Sequence, residues 1–175
     1  LAVAGLPAAA LQFERCTKSE VAYATAAVEG AREVILRASA RVGDTPEYLR
    51  WFGAYRPDYA ETVRAGLKSI DRALAGPDLV MICPNVGEDG CDLGTYANVW
   101  PDRPFRVNLC AAFFNMPTMD GIVATSMAFD TGTREGTIIH EVSHFTRTAG
   151  TDDHCYTRTD CSVMAETDPD LAIDN

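Results

Sequence analysis

The chain has 175 residues, of which 47% are hydrophobic and 23% are charged, a balance typical of a single globular domain. Its formal net charge of −10 argues against a nucleic-acid partner, because a phosphate backbone attracts basic surface. No stretch reaches the ~20 apolar residues that a membrane-spanning helix needs, so we expect no membrane partner, and we expect a monomer.

Residues 1–11, LAVAGLPAAAL, are apolar and carry no charge. A complete signal peptide would have a basic segment before its apolar stretch, and this segment has none. We interpret residues 1–11 either as the remnant of a leader or propeptide or as an N-terminal segment packed on the surface. Residues 12–175 are then expected to form one domain.

The first half of the chain predicts three helices. Thr17 and Glu20 form a capping-box pattern, and apolar residues recur at helical spacing behind them until Gly43. The segment PEYLRWF begins at Pro46, which suits the first turn of a helix. A third apolar stripe begins near Pro57 and stops at Gly76.

The middle of the chain predicts strands. Residues 78–83, DLVMIC, are a short apolar run. The segments TYANVW and FRVNLC flank the sequence PDRP at residues 101–104, which is typical of a hairpin with a turn of four residues. Residues 111–132 resemble a loop. Helical character then returns before His140, with Thr131 or Thr133 as the N-cap. We therefore predict an α+β fold with N-terminal helices, a small antiparallel sheet and a later helix.

That later helix contains HEVSH, which is the His-Glu-x-x-His pattern of zinc hydrolases. Residues four apart lie on one face of a helix, so His140 and His144 can bind the same ion. Glu141 lies beside them and can act as a general base toward a water molecule that the metal acidifies. The alternative is an ordinary amphipathic helix whose polar face happens to carry two histidines.

A catalytic zinc site usually has three protein ligands, so one more is needed. The metzincin extension HExxHxxGxxH fails, because Arg147 and Gly150 stand where its glycine and histidine would be. Gly150 could end the helix and turn the chain so that an aspartate returns to the metal, whereas a thermolysin-like site would use a later glutamate. The candidates from the sequence are Asp152, Asp153, His154 and Glu166.

The six cysteines are spread along the chain without a CxxC pair, which favours disulfide bonds and an oxidising compartment over a zinc site of cysteines. We therefore expect a secreted, extracellular protein. The cysteines are Cys16, Cys83, Cys91, Cys110, Cys155 and Cys161.

HExxHF followed by GTxD and a tyrosine resembles the aspzincin metalloendopeptidases, the deuterolysin family. The short step from His144 to Asp153 is more similar to the peptidyl-Lys metalloendopeptidase branch than to deuterolysin itself. Further segments resemble the family's TWFG, YPxR, YLCGAFW and DPxxAxxN stretches. In this chain they read RWFGAY, NVWPDR, VNLCAAFF and DPDLAIDN, so the resemblance extends from about residue 16 to residue 175.

The resemblance implies one catalytic Zn²⁺ with His140, His144 and Asp153 as ligands. It implies Glu141 as the general base and Tyr156 as the hydroxyl donor to the oxyanion. The substrates would be proteins or peptides, cut by a secreted endopeptidase that prefers lysine on the C-terminal side of the cut. The family's acidic lysine-binding positions follow residue 175 and are not in this sequence, so that preference rests on resemblance alone.

Three alternatives remain open at this stage. One is a deuterolysin-like protease of broader specificity, and another is a thermolysin-like protease that uses Glu166. The third is a secreted zinc protein without catalytic activity, although a structural site would need no general base at Glu141.

The family also implies two disulfides, Cys16–Cys83 and Cys91–Cys110. Cys155 and Cys161 depart from the family pattern, and by elimination we expect them to pair with each other. Such a bond would brace the loop that carries Tyr156.

Overall fold

The computed structural model describes residues 11–121 and 132–175. Within them the chain forms six α-helices, a four-stranded sheet and one 3-10 helix, which confirms the α+β class. In chain order the elements are β1 (Gln12–Glu14), α1 (Lys18–Ser39), α2 (Pro46–Phe52), α3 (Pro57–Ala75), β2 (Val80–Ile82), β3 (Ala97–Asn98), β4 (Arg106–Leu109), the 3-10 helix (Ala111–Asn115), α4 (Arg134–Ser143), α5 (Arg158–Thr167) and α6 (Pro169–Asp174).

The N-terminal ends of the first helices follow the local sequence. Thr17 and Glu20 form the predicted capping box, in which each side chain accepts a hydrogen bond from the other residue's backbone N–H. α2 has the predicted bounds, and Thr45 caps it by accepting from the backbone N–H of Tyr48. The predicted end of α1 at Gly43 is wrong, because the helix ends at Ser39. The N–H of Arg41 donates to the carbonyl of Ala38, three residues back, in place of the α-helical bond to the residue four back. The α-helix therefore ends before the apolar pattern does.

The sheet has the strand order β1-β2-β4-β3. β3 and β4 are antiparallel, as the hairpin prediction required. They are connected by residues 99–105, which is longer than the predicted turn of four residues. The prediction of an antiparallel sheet is wrong for the other pairs, because β2 lies parallel to both β1 and β4. The three helices between β1 and β2 return the chain to the end from which it started, and this makes the pair parallel.

The core lies between the sheet and the helices α1, α3 and α4. Phe145, which directly follows the second histidine of the motif, is fully buried and packs edge-to-face on Phe105 with ring centroids 5.4 Å apart. A buried side chain of this size contributes about 1.5–3 kcal/mol to stability. The C-terminal end of α4 is therefore fixed against the sheet side of the core. The other large, fully buried side chains include Phe113, Ile35, Leu79, Met81, Leu109 and Ile138.

Three disulfides are present, with the pairings Cys16–Cys83, Cys91–Cys110 and Cys155–Cys161. The first joins Cys16, which follows β1, to Cys83, which follows β2, across a sequence separation of 67 residues. A loop of that length removes about 4 kcal/mol of chain entropy from the unfolded state. The third joins Cys155, which precedes α5, to Cys161 in the first turn of that helix.

Some features of the sequence lie outside the described residues, namely Thr131 as an alternative N-cap and residues 1–10 of the N-terminal segment. Leu11, the last residue of that segment, is partly buried against the core. In the ranges 11–121 and 132–175, no helix has the length and apolar content that crossing a membrane requires.

Candidate metal centre

Helix α4 carries the two histidines of the motif. Thr133 caps it by accepting a hydrogen bond of 3.0 Å from the backbone N–H of Gly136. The last helical residue is Ser143, and His144 still has right-handed helical dihedrals as the C-cap. The two imidazoles therefore stay one turn apart, with their Nε2 atoms separated by 3.2 Å.

Asp153 completes a triangle of possible ligand atoms. Its Oδ1 atom lies 3.2 Å from Nε2 of His140 and 3.4 Å from Nε2 of His144. Zinc–nitrogen and zinc–oxygen bonds of about 2.0–2.1 Å in a tetrahedral site place neighbouring ligand atoms roughly 3.3 Å apart. The three separations match that edge length, so the donor set fits zinc in both chemistry and spacing. In the part of the chain that the structure describes, no other group of histidine, cysteine or acidic residues is arranged to hold a metal.

A hydrogen bond fixes the second histidine. Nδ1 of His144 lies 2.9 Å from the carbonyl oxygen of Thr151, so Nδ1 carries the proton and Nε2 is free to bind a metal. Ser143 donates a hydrogen bond of 2.6 Å to the carbonyl of His140, and its Oγ lies 2.6 Å from Oγ1 of Thr151. The end of α4 and the following loop are thereby joined at Thr151.

The pKa of His140 is lowered, first by burial and then by the neighbouring imidazole of His144, although the carboxylate of Asp153 opposes this. The lowered pKa favours the neutral imidazole, which is the form that binds a metal.

The triangle is open on one side. The side chain of His144 is only 10% exposed, whereas those of His140 and Asp153 are 36% and 37% exposed. A cavity of about 920 Å³ adjoins His140 between α3, α4 and α6, with Ile139 and Ile173 among its apolar walls. A substrate can therefore approach the ligands from the side of His140 and Asp153.

Glu141 lies on α4 between the two histidines and is 7% exposed. Burial raises the pKa of Glu141 to about 8, with the charge of Asp153 as a further cause. A cation bound by the triangle would act in the opposite direction and favour the carboxylate. The side chain is thus in an environment that can bind a proton near neutral pH and release it.

Tyr156 lies on the same loop as Asp153 and is 74% exposed. Its pKa is raised by desolvation, then by hydrogen bonding to the carboxylate of Asp153 and by the negative charges of Asp153, Glu141 and Asp152. The phenol is therefore protonated at neutral pH, and its hydroxyl group can donate a hydrogen bond beside the triangle.

The reversal between the histidines and Asp153 differs from the prediction. Gly150 has a φ of +69°, a left-handed value that favours glycine, but α4 ends earlier, at Ser143. The N–H groups of Gly150 and Thr151 both donate to the carbonyl of Ser143, which closes the intervening turn. The prediction that Gly150 ends the helix is wrong because residues 144–149 form a separate turn after it.

The other candidate ligands have different surroundings. Asp152 accepts a hydrogen bond of 2.9 Å from the backbone N–H of Asp153. His154 pairs with Asp174, with 2.8 Å between Nε2 and Oδ2. Glu166 is exposed on α5 and does not belong to the triangle. The structure brings His140, His144 and Asp153 together and leaves these three outside.

Sequence reasoning missed Thr151, whose carbonyl accepts a hydrogen bond from His144, and Asn175, whose amide oxygen accepts from the site loop. The segment GTDD predicts a reversal that returns an aspartate to the metal, and DPDLAIDN resembles a family segment, but neither predicts these hydrogen bonds. The sequence shows that residues able to form hydrogen bonds lie near Asp153, but it does not identify their partners.

Comparison with known proteins gives one family. The model Aspzincin_M35, described as lysine-specific metallo-endopeptidase, matches residues 37–175. A solved structure, the zinc peptidase from Grifola frondosa, superimposes with a TM-score of 0.76 at 29% sequence identity and covers 91% of both chains.

Relatives in sequence point in the same direction. An extracellular protease of Aeromonas hydrophila is 32% identical over 92% of this chain, and the match spans 43% of that protein. A peptidyl-Lys metalloendopeptidase of Pleurotus ostreatus is 32% identical over 93% of this chain and 90% of its own length. The chain thus spans less than half of the first relative and most of the second.

Proposed function

Because the chain belongs to the aspzincin M35 family of metallo-endopeptidases, we propose that it is a zinc-dependent endopeptidase that hydrolyses peptide bonds. The observation that carries the proposal is the triangle of His140, His144 and Asp153, whose ligand atoms lie 3.2–3.4 Å apart and open toward a cavity. These three residues would hold the zinc ion. When bound, zinc would supply Lewis-acid polarisation of the substrate carbonyl and would make water more acidic.

Glu141 is the general base of the proposed reaction. Its carboxylate accepts a proton from water while the water oxygen bonds to the carbonyl carbon of the substrate. Glu141 then gives this proton to the amide nitrogen as the carbon–nitrogen bond breaks, which yields a carboxylic acid and an amine. Proton transfer from the acid to the amine then gives the carboxylate and ammonium products. The buried position that raises the pKa of Glu141 favours this temporary protonation.

Tyr156 stabilises the negative oxygen that develops on the substrate. The protonated phenol lies near Asp153 and Glu141, and its exposure leaves its hydroxyl group available to a substrate. A donor directed at a developing oxyanion is worth about 10²–10³ in rate in a comparable site.

Lysine on the C-terminal side of the cut is the substrate preference that we propose. Support comes from the family description and from the peptidyl-Lys relatives. The net charge of −10 favours basic peptides over acidic ones at long range. The cavity beside His140 does not add to this argument, because the basic Lys68 and Arg72 line it together with the acidic Asp170 and Asp174.

A secreted protein fits the same proposal. Three disulfides require an oxidising compartment to persist, and one relative is described as an extracellular protease. We further propose that residues 12–175 are a single peptidase domain that acts as a monomer on protein or peptide substrates.

Peptide mapping tests the proposal. The protein is incubated with an unfolded protein substrate, with and without a zinc chelator, and the residue at each new N-terminus is identified by mass spectrometry. We expect cuts that the chelator abolishes, with lysine at nearly every new N-terminus. Chelator-sensitive cuts before mixed residues would remove the lysine preference alone, and cuts that survive zinc removal would overturn the zinc mechanism.

The variant Glu141→Gln separates the enzyme from a non-catalytic zinc protein. Gln keeps the shape of the side chain but cannot accept the proton, so we expect proteolysis to fall by at least ~10²-fold while zinc remains bound. Undiminished proteolysis by E141Q would remove Glu141 from the mechanism.

A further inference from the structure

We propose that Asn175 is a positioning residue for loop 152–156, which carries the third metal ligand and Tyr156. The inference rests on the proposed function, since it assigns a role in building the same zinc site. Two of the ligands lie one turn apart at the end of α4, but Asp153 lies on a loop without regular secondary structure. Something other than a helix or strand must therefore fix its position.

The backbone N–H groups of the loop account for this. Oδ1 of Asn175 accepts from the N–H of His154 at 2.8 Å and from the N–H of Cys155 at 2.7 Å. The N–H of Asp152 donates to the carbonyl of Asp174 at 2.7 Å. Three of the four N–H groups between residues 152 and 155 thus bind the last two residues of the chain. The fourth, that of Asp153, binds the side chain of Asp152.

Asn175 occupies a central place in this set. A single amide oxygen serves two consecutive N–H groups, directly between the ligand Asp153 and the oxyanion donor Tyr156. Without this oxygen, the N–H of the buried Cys155 would lose its partner at a cost of about 1 kcal/mol or more, and the N–H of the exposed His154 would turn to solvent. The contact between His154 and Asp174, at 2.8 Å, adds a side-chain link between the same two segments.

The element before Asn175 is itself firmly held. Asp168 closes α5 by donating its N–H to the carbonyl of Met164 and caps α6 by accepting from the N–H of Leu171. Gly53, after α2, has a φ of +75°, and a Cβ there would meet the carbonyl oxygen of Ala165 at 2.4 Å. The close approach of α2 to α5 fixes the position of α5, which leads directly into α6 at Asp168. Asn175 therefore presents its amide from a rigid support.

The consequence concerns metal affinity more than folding. Partners that orient metal ligands typically change affinity or activity 10- to 100-fold when they are removed. Loss of the Asn175 amide leaves α4, the core and the disulfides unchanged, but it frees the loop to move the Asp153 carboxylate away from the two histidines.

The test compares three variants of the full chain. Asn175→Ala removes the acceptor, Asn175→Asp retains an oxygen in the same place, and Asp170→Asn alters an exposed residue of α6 that takes no part in the loop's hydrogen bonds. Zinc affinity is measured by competition with a chromophoric chelator, and the melting temperature is measured on the zinc-free proteins. We expect N175A to bind zinc ~10- to 100-fold more weakly than the parent, and N175D and D170N to stay within about threefold.

The zinc-free melting temperatures separate positioning from general stability. We expect N175A to melt within a few degrees of the parent, since its effect is on the loop. Parental zinc affinity in N175A, or an equal loss in N175D and N175A, would overturn the inference. A parent that binds no zinc would instead overturn the proposed function.

Amide hydrogen exchange of the parent tests the inference independently of zinc and of how the variants fold. The amides of His154 and Cys155 should exchange at least ~10-fold more slowly than an unstructured peptide, and N175A should remove this protection. Unprotected amides at both positions in the parent would overturn the role of Asn175.

Discussion

Glu141 allows a prediction about the protein without its metal. The side chain is 7% exposed, and burial, together with the charge of Asp153, raises its pKa from an ordinary value of 4.5 to about 8. Between these two values the folded protein binds a proton at Glu141 that the unfolded chain does not bind. The contribution of Glu141 to the free energy of unfolding therefore falls as the pH rises from about 4.5 to about 8.

The magnitude follows from the same two values. The interval between 4.5 and about 8, at about 1.36 kcal/mol for each pKa unit, corresponds to on the order of 5 kcal/mol. Replacement of Glu141 by Gln removes the titration and keeps a neutral side chain of the same shape. Zinc-free E141Q should therefore match the parent near pH 4.5 and exceed it in stability by about 5 kcal/mol above pH 8.

The assay is denaturant unfolding of zinc-free parent and variant at half-unit steps between pH 4.5 and pH 8.5. Glu166→Gln is the matched control, because Glu166 is exposed on α5 and its replacement should change stability by less than about 0.5 kcal/mol throughout. A stability difference between E141Q and the parent that is the same at pH 5 and pH 8.5 would refute the reasoning. Added zinc should reduce the difference at high pH, since a cation favours the carboxylate.

Three further predictions concern the site. Asp153→Ala should weaken zinc binding by roughly 10²- to 10³-fold in a chelator competition, because the zinc loses one donor of a site whose binding free energy is about 10–16 kcal/mol. Glu166→Ala should retain the parental zinc affinity. The reverse result would favour the thermolysin-like arrangement. Tyr156→Phe should lower kcat by about 10²-fold with zinc content unchanged, and an unchanged kcat would remove its role as an oxyanion donor. Replacement of both Cys155 and Cys161 by Ser should lower the free energy of unfolding by about 2 kcal/mol, because the unfolded chain regains the entropy that closure over a separation of 6 residues removes. A denaturation curve equal to that of the parent would contradict this.

The sequence was most informative where local chemistry decides the structure. Thr17 with Glu20, and Pro46 and Pro57 at first helical positions, specify helix starts through groups only a few residues apart. The spacing of His140 and His144 likewise follows from the helical period. These features need no knowledge of the rest of the fold.

Features that depend on distant partners were not predictable in the same way. β1 has three residues and pairs with β2 across three intervening helices, so no local pattern identifies it or its direction. Asn175 follows the helical motif by a long stretch of chain, and its hydrogen bonds to loop 152–156 arise only when α6 packs beside that loop. Asp153 could be chosen over Glu166 through family resemblance, whereas spacing alone left both open.

The edges of the sheet have a consequence for behaviour at high concentration. The outer strands β1 and β3 contain three and two residues, and β2 and β4, with three and four residues, lie between them. Unpaired backbone groups on a long, flat edge strand recruit other chains into aggregates, and short edge strands are one way in which proteins avoid this. In the described residues, the Cys16–Cys83 bond also fastens β1 at its end, next to β2. A second copy would find little strand surface to extend, so this domain should resist edge-to-edge aggregation at high concentration.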